Sequence, residues 1–371
     1  MGRGEFGNVS SVLEAVLFIL YAKLFSPHGD THSVNMTNLV IGASGFLGGH
    51  VVEELCHRGE EVIVLARRTS NLSALKNLEI ETRYSDLRDP AALKEAMKGV
   101  DLVFNCAGSV RFVIPYKEIY DINVAGTERI VGAASEAGVK RIIHASSIAA
   151  LGPDGLLNPS DLKVDRPDIK GGYSRSKTEA EAIFFKRCAE KGIEGVALRP
   201  GVIYGPRDLT SAYYWFNFVD TGNARLVGNG SSRFPLIYVS DVVDAFMTAS
   251  ARKNVNGRTY NLDGPDTVSL KMIYDLISKE LGKESNYKFT PYWLAYFTAW
   301  MSELKSKLGG YKKEPRLSTF VISLFGKDSE RPDCSNAKRD LEFQPKIGLV
   351  EGMRRTAVWY KDLKRSGQMA K

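Results

Sequence analysis

Asn38 to Leu55 reads "NLVIGASGFLGGHVVEEL". The apolar run Leu39 to Ile41 has the length of a buried strand, and from Val51 onward apolar residues recur at helical spacing. Between the two stand Gly42, Gly45 and Gly48 at three-residue intervals. In a strand–turn–helix unit the three glycines serve different ends. Gly42 permits the tight turn, Gly45 lets a pyrophosphate approach the backbone, and Gly48 lets the helix pack close to the strand. The helix start then offers free N–H groups and a positive dipole end to phosphate. Ser44, Phe46 and Leu47 complete the loop that would cradle it.

Working outward, the pattern repeats. Apolar runs follow in "EVIVLARR", "VDLVFNCAG", "KRIIHASS" and "EGVALRPG", with helical stretches "DPAALKEAMKG", "NVAGTERIVGAASEAG" and "SKTEAEAIFFKRCAEKG" between them. Strands that alternate with helices must pair in parallel, because each return crosses a face of the sheet. The expectation is an α/β fold, a Rossmann-type doubly wound parallel sheet. Such a sheet binds its ligand beyond the carboxyl ends of its strands. At the end of the second strand an acidic residue would accept hydrogen bonds from the ribose of NAD, whereas arginine can pair with the 2′-phosphate of NADP. Arg67 and Arg68 stand there, followed by Thr69 and Ser70 as further donors. NADP(H) is the expected cofactor, with NAD(H) as the second choice.

Composition removes other classes. The net charge of +7 is spread along the 371 residues, with lysines and arginines interleaved among acids, which argues against a nucleic-acid partner. One basic excess, "GMRRTAVWYKDLKRSG", has its charges at helical spacing and reads as a solvated face. The four cysteines (Cys56, Cys106, Cys188, Cys334) form no C-x-x-C pair, so neither a zinc site nor a disulfide framework is indicated, and a reducing, cytoplasmic setting fits. No histidine pair has H-E-x-x-H spacing, His50 and His57 read as helix surface, and no metal site is expected.

Residues 1–35 are the least globular stretch. Glu14 and Lys23 bracket only "AVLFILYA", which is too short to span a bilayer, and no A-x-A-like cleavage site follows. A short packed helix, an interfacial anchor and translated sequence upstream of a start at Met36 all fit. The last is favoured, because a strand begins at once after Met36.

The motifs "GASGFLG", "SDLRD", "NCAG", "HASSIAALG", "YSRSK", "LRPGVIYGP" and "IYVSDVVDA" occur in this order from Met36 onward. In order and spacing they resemble the extended short-chain dehydrogenase/reductase family, the NAD-dependent epimerase/dehydratase superfamily. The resemblance implies a cofactor-binding Rossmann domain over residues 36–200, with a mixed region over 201–371 that completes the sheet and forms a mostly helical substrate lobe. It also implies a homodimer through helices that flank the sheet.

Residue by residue, Tyr173 and Lys177 match the family's Tyr-x-x-x-Lys motif, and Ser147, five positions before Gly152, matches its serine, with Ser146 as near competitor. Asp86 and Leu87 resemble the pair beside the adenine, although "SDL" stands where "GDL" is more usual. Ala107 and Gly108 stand where the backbone passes the cofactor, Asn123 opens the next helix, and Pro200 to Val202 follow the strand near the nicotinamide. The chemistry explains the pair. A phenol with an ordinary pKa of about 10 is a poor base at neutral pH, and a lysine one helical turn away, with an oxidised nicotinamide beside it, favours the phenolate.

Substrate class is the narrowest inference. Nucleotide-sugar enzymes of the family resemble one another in an arginine shortly before the "I-[HY]-V-x-D" strand. Here Arg233 is present, but Phe234 and Pro235 stand where Arg-Asp is usual. "PYWLAYFTAWMSELKSKLG" and "RLSTFVISLFG" are aromatic and apolar at helical spacing, a stripe that reads equally as lobe core. These features resemble the 3β-hydroxysteroid and sterol dehydrogenase branch, which implies a small apolar substrate (a sterol, steroid or β-keto acid) and a peripheral membrane contact. A nucleotide-sugar epimerase or dehydratase is the alternative. A protein that binds NADP without turnover is a third, opposed by the complete Ser/Tyr/Lys set.

Overall fold

Two faces of a sheet have to be covered before any of these motifs can be placed. The computed structural model describes residues 36–152, 172–312, 315 and 317–367, so the N-terminal extension lies outside the described residues. The strands are β1 (Thr37–Ile41), β2 (Glu61–Ala66), β3 (Glu81–Tyr84), β4 (Leu102–Asn105), β5 (Arg141–Ala145), β6 (Glu194–Pro200) and β7 (Arg258–Leu262). They form one sheet in the order β7-β6-β5-β4-β1-β2-β3 with every pairing parallel. β1 pairs with β2 on one side and β4 on the other, so the chain reverses its winding there. The crevice at that reversal is where a doubly wound sheet takes its ligand.

Alternation along the strands builds two cores. Val40 and Val64 point to one face, under α1 (Phe46–His57) and, later in the chain, the helix Val239–Ala251. Leu39, Ile41, Ile63 and Leu65 point to the other face, under α2 (Pro90–Ala96), α3 (Gly126–Ala137) and α4 (Gly172–Lys191). Asp89 caps α2, accepting from the Ala92 amide at 3.0 Å, with Pro90 at the first helical position.

Beyond β6 the chain adds three two-stranded pieces, Val202–Tyr204 with Leu236–Tyr238, Arg233–Phe234 with Val268–Ser269, and Arg225–Val227 with Lys288–Thr290. Two further helices matter for the site, α5 (Tyr292–Leu308) and α6 (Thr319–Gly326). The aromatic stripe of α5 is not lobe core. Only Ala295 and Ala299 of that helix are buried, against Ile322 of α6, while Trp293, Phe297 and Trp300 face outward at 69%, 52% and 47% exposure.

A glycine pair tests how tightly the first turn is packed. A Cβ on Gly48 would stand 2.3 Å from the Gly42 carbonyl oxygen, whereas one on Gly132, inside α3, meets nothing within 4 Å. Gly48→Ala is expected to cost about 1–3 kcal/mol, and Gly132→Ala to gain about 0.5–1 kcal/mol from helix propensity. Urea unfolding midpoints should therefore move in opposite directions.

Candidate active site

The phosphate-side residues sit on the first turn. Gly42 has φ +85°, and a Cβ there would come within 2.7 Å of the Cys106 carbonyl carbon, so position and conformation both demand glycine. The Gly45 amide donates to the Gly42 carbonyl at 2.9 Å, closing the turn. No side chain caps α1 and its first turn holds no acid, so its positive end faces the crevice uncompensated. Ser44 and Gly45 are exposed, while Phe46 and Leu47 pack partly on the core. This cradle, which any Cβ would fill, fits a dinucleotide pyrophosphate.

Arg67 and Arg68 lie exposed just past β2. The Arg67 amide donates to Ser70 Oγ at 3.1 Å, and the Arg68 guanidinium stands 5.2 Å from the Tyr84 ring centroid. Asp86, past β3, accepts from the Arg88 amide at 2.8 Å, and the neighbouring Leu87 packs on the second core. Ala107 donates its amide to Asn105 Oδ1 at 3.2 Å. Asn123 is buried in a π-turn before α3, where its Oδ1 accepts from the Ser109 amide at 2.7 Å and its Nδ2 donates to the Ser109 carbonyl at 3.1 Å and Ser176 Oγ at 2.9 Å. Asn123 therefore pins the loop carrying Gly108 to α4. A Cβ on Gly108 would lie 3.4 Å from Lys177 Nζ. Pro200 ends β6, Gly201 donates to the Leu262 carbonyl at 2.9 Å and Val202 to the Pro235 carbonyl at 3.0 Å.

Tyr173 and Lys177 occupy consecutive turns at the start of α4. Ser147 acts on the Tyr173 phenol in the direction that favours its phenolate. Ser147 also caps the 3₁₀ turn Ile148–Leu151, accepting from the Ala149 amide at 3.2 Å. Ser146 points elsewhere, donating to Glu181 Oε2 at 2.7 Å. Lys177 Nζ donates to the Ala145 carbonyl at 2.9 Å from a buried position. Burial lowers its pKa to about 8, against the opposing pull of Cys106 and Glu181. Burial raises the Tyr173 pKa, only partly offset by Ser147. His144, buried beneath, is pushed down to about 3 by burial and then by Lys177, so it is a neutral imidazole, with Nδ1 3.0 Å from Asn105 Nδ2. At neutral pH the site holds a protonated phenol one turn from an ammonium, which is a proton-donor arrangement.

Two features escaped the sequence. Glu181 of α4 is fully buried against Arg199 of β6, accepting from Arg199 Nε at 2.8 Å and also from Nη2. The Tyr173 ring is also flanked edge-to-face by Phe112, 5.4 Å away, and Phe320, 6.1 Å away, and those two rings stack on each other at 4.7 Å and 19°. The segment around Phe320 reads as apolar in sequence, but no spacing signal joins a loop after β4 to α6. One residue before the position of the family's diphosphate arginine, which Phe234 occupies here, Arg233 is held by Asp328, with its amide donating to Oδ1 at 2.7 Å and Nη2 to Oδ2 at 3.0 Å. Phe234 is buried edge-on to Phe325. Among the described residues no group of three or more His, Cys, Asp or Glu gathers as metal ligands.

Comparison with known proteins places this geometry. Residues 38–263 match the model of the NAD dependent epimerase/dehydratase family. Sterol demethylase protein B of Methylococcus capsulatus is 28% identical over 84% of this chain and 94% of its own length. The mouse (Mus musculus) sterol-4-alpha-carboxylate 3-dehydrogenase, decarboxylating, is 25% identical over 92% of this chain and 97% of its own. Among solved structures, MoeE5 in complex with UDP-glucose and NAD superposes with a TM-score of 0.69 at 23% identity, covering 88% of this chain and 99% of that one. At that identity it speaks for the fold alone.

Three outcomes follow from this geometry. Tyr173→Phe should lower kcat by about 10²–10⁴-fold while cofactor binding, read by fluorescence titration, holds. With Tyr173 as proton donor in the reducing direction, the proton would leave beside the Lys177 ammonium. Because the Tyr173 pKa is raised and that of Lys177 stands at about 8, kcat/KM for a ketone should stay level below that pH and fall above it, as the rate against pH would record. Glu181→Gln should cost about 3–5 kcal/mol, by leaving the Arg199 charge buried without its partner, as a lowered urea midpoint.

Proposed function

This chain belongs to the NAD dependent epimerase/dehydratase family, and from that premise we propose that it moves a hydride between nicotinamide and a secondary alcohol or ketone on a bulky apolar molecule of the 3β-hydroxysteroid, sterol or β-keto acid type. It is an enzyme of the extended short-chain dehydrogenase/reductase type. The observation that carries the proposal is Tyr173 with Lys177 one turn below it on α4, Ser147 acting on the phenol, and the Phe112 and Phe320 rings edge-on to the tyrosine ring. Bound nicotinamide supplies or accepts the hydride. Ser147 donates to the substrate oxygen and steadies its developing charge. Tyr173 gives its proton to that oxygen in reduction and takes it in oxidation. Lys177, positively charged, favours the phenolate that remains and holds the ribose hydroxyls.

Residues 36–200 hold the cofactor in this reading, through Gly42, Ser44, Gly45, Phe46, Leu47, Gly48, Asp86, Leu87, Ala107, Gly108, Asn123, Pro200 and Val202, while 201–371 complete the sheet and form the substrate lobe. Arg67 and Arg68 favour NADP(H), since no carboxylate follows β2 at that point. Two findings support an apolar substrate over a nucleotide sugar: Arg233 is already paired with Asp328, and Phe234 is buried. The two relatives matched by sequence above carry sterol names, whereas MoeE5 is a UDP-glucose complex that speaks for the fold. No described helix is long and apolar enough to cross a membrane. The exposed Trp293, Phe297 and Trp300, followed on α5 by Lys305 and Lys307, support a peripheral membrane contact of a cytoplasmic homodimer.

The alternative is a nucleotide-sugar epimerase or dehydratase in which Tyr173 begins the reaction and the cofactor is restored within each turnover. Absorbance of reduced nicotinamide separates the two. With 3β-hydroxysteroids and 4-carboxysterols, net cofactor reduction is expected, stronger with NADP⁺, and Arg67→Ala or Arg68→Ala should raise the KM for NADP⁺ about tenfold. Conversion of a UDP- or dTDP-sugar with no accumulated reduced cofactor would overturn the proposal.

A further inference from the structure

Among the described residues the ring of Tyr173 is packed edge-on by two phenylalanines. Phe112 comes from the loop after β4 and Phe320 from the second residue of α6, two segments remote in the chain, yet their rings stack at 4.7 Å and both lie edge-on to Tyr173. Each is half-buried. The polar side chains nearby already have partners: Asn123 holds Ser109 and Ser176, and Ser146 holds Glu181. Any molecule that brings an oxygen to Tyr173 therefore sets the carbons beside its carbinol against these phenyl rings.

The chemistry of those carbons then decides the fit. A hexose carries a hydroxyl on the ring carbons flanking the reacting one, and each hydroxyl pressed on a phenyl ring gives up water without a new partner, which disfavours binding. A fused carbocycle presents C–H there and gains contact area and ring packing instead.

We propose that Phe112 and Phe320 are specificity-determining residues that select substrates whose carbinol carbon belongs to a rigid, hydroxyl-free carbocycle. The proposal rests on the dehydrogenase reading above and narrows it to the ring that meets Tyr173. Phe320 is held in place from the substrate lobe. The α6 cap Ser318 accepts from the Val321 amide at 3.2 Å, and Glu303 of α5 accepts from the Thr319 amide at 2.6 Å and from its hydroxyl at 2.9 Å. The ring thus belongs to a built wall.

The test compares kcat and KM for dehydroepiandrosterone, a rigid 3β-hydroxysteroid, with those for trans-cyclohexane-1,2-diol, whose reacting carbon is flanked by a hydroxyl, at saturating cofactor, in the full chain and in Phe112→Ala, Phe320→Ala and Phe320→Leu. Phe320→Leu keeps apolar volume while removing the flat ring, so it reports even if an alanine variant folds poorly. The ratio of kcat/KM for the steroid over the diol is expected to fall on the order of tenfold or more in each variant, mainly through a higher KM for the steroid. A ratio that stays constant, whether both substrates lose equally or neither does, overturns the specificity role and leaves the dehydrogenase reading standing. Conversion of UDP-glucose by the full chain with no steroid oxidation would overturn both, because a hydroxyl-bearing ring would then be accepted against the same phenyl pair.

Discussion

One buried ion pair holds the chemistry in register. Glu181 of α4 and Arg199 of β6 are both fully buried, and the hydroxyl of Ser146, one residue past β5, joins them through the same carboxylate. Taking two charges out of water is costly, and such a pair persists only where geometry and further hydrogen bonds compensate. Here compensation requires α4 to lie at a fixed height over β5 and β6. Tyr173 and Lys177 are two turns and one turn upstream of Glu181 on that helix. Any slip of α4 along the sheet would strand the charges, so the pair that contributes least obviously to activity decides where the phenol stands.

Electrostatics follow from the same placement. Because α4 is held down, Lys177 reaches the Ala145 carbonyl and is buried beside Cys106 and His144. Burial lowers the lysine and raises the phenol, so the proton sits on Tyr173 in the ligand-free protein. The neutral His144 adds no competing positive charge. A positive charge arriving beside the phenol would shift it toward phenolate. Direction of proton flow is therefore set by what the crevice holds.

What the sequence disclosed divides by the range of the interactions. The glycine turn, α1 and α4 were legible because each is a local pattern: φ +85° at Gly42 and the contact of Gly48 with Gly42 are consequences of a few neighbouring residues. Five strands were legible as apolar runs. β3 and β7 were not: "ETRY" is a half-exposed edge strand with no apolar run, and "RTYNL" is recognisable as a strand only because it pairs with β6. Spacing to Gly152 prefers Ser147 with Ser146 as near competitor, and the fold separates them, turning Ser146 to Glu181 while Ser147 acts on Tyr173. Charge pairing across long separations, as in Glu181–Arg199 or Arg233–Asp328, leaves no periodic trace in a single chain.

The aromatic helices show the same limit from the other side. Composition marks "PYWLAYFTAWMSELKSKLG" as apolar and leaves its partner undecided. In the fold, α5 turns its two alanines and the partly buried Tyr292 toward α6, where Tyr292 meets Ser323, and turns Trp293, Phe297 and Trp300 outward. α6, locked to α5 through Glu303, carries Phe320 to the Tyr173 phenol. A thin seam of small residues thus links two aromatic surfaces, one open to the surroundings and one at the reacting atom. Among the described contacts, α6 is the element that joins α5 to the Tyr173 ring.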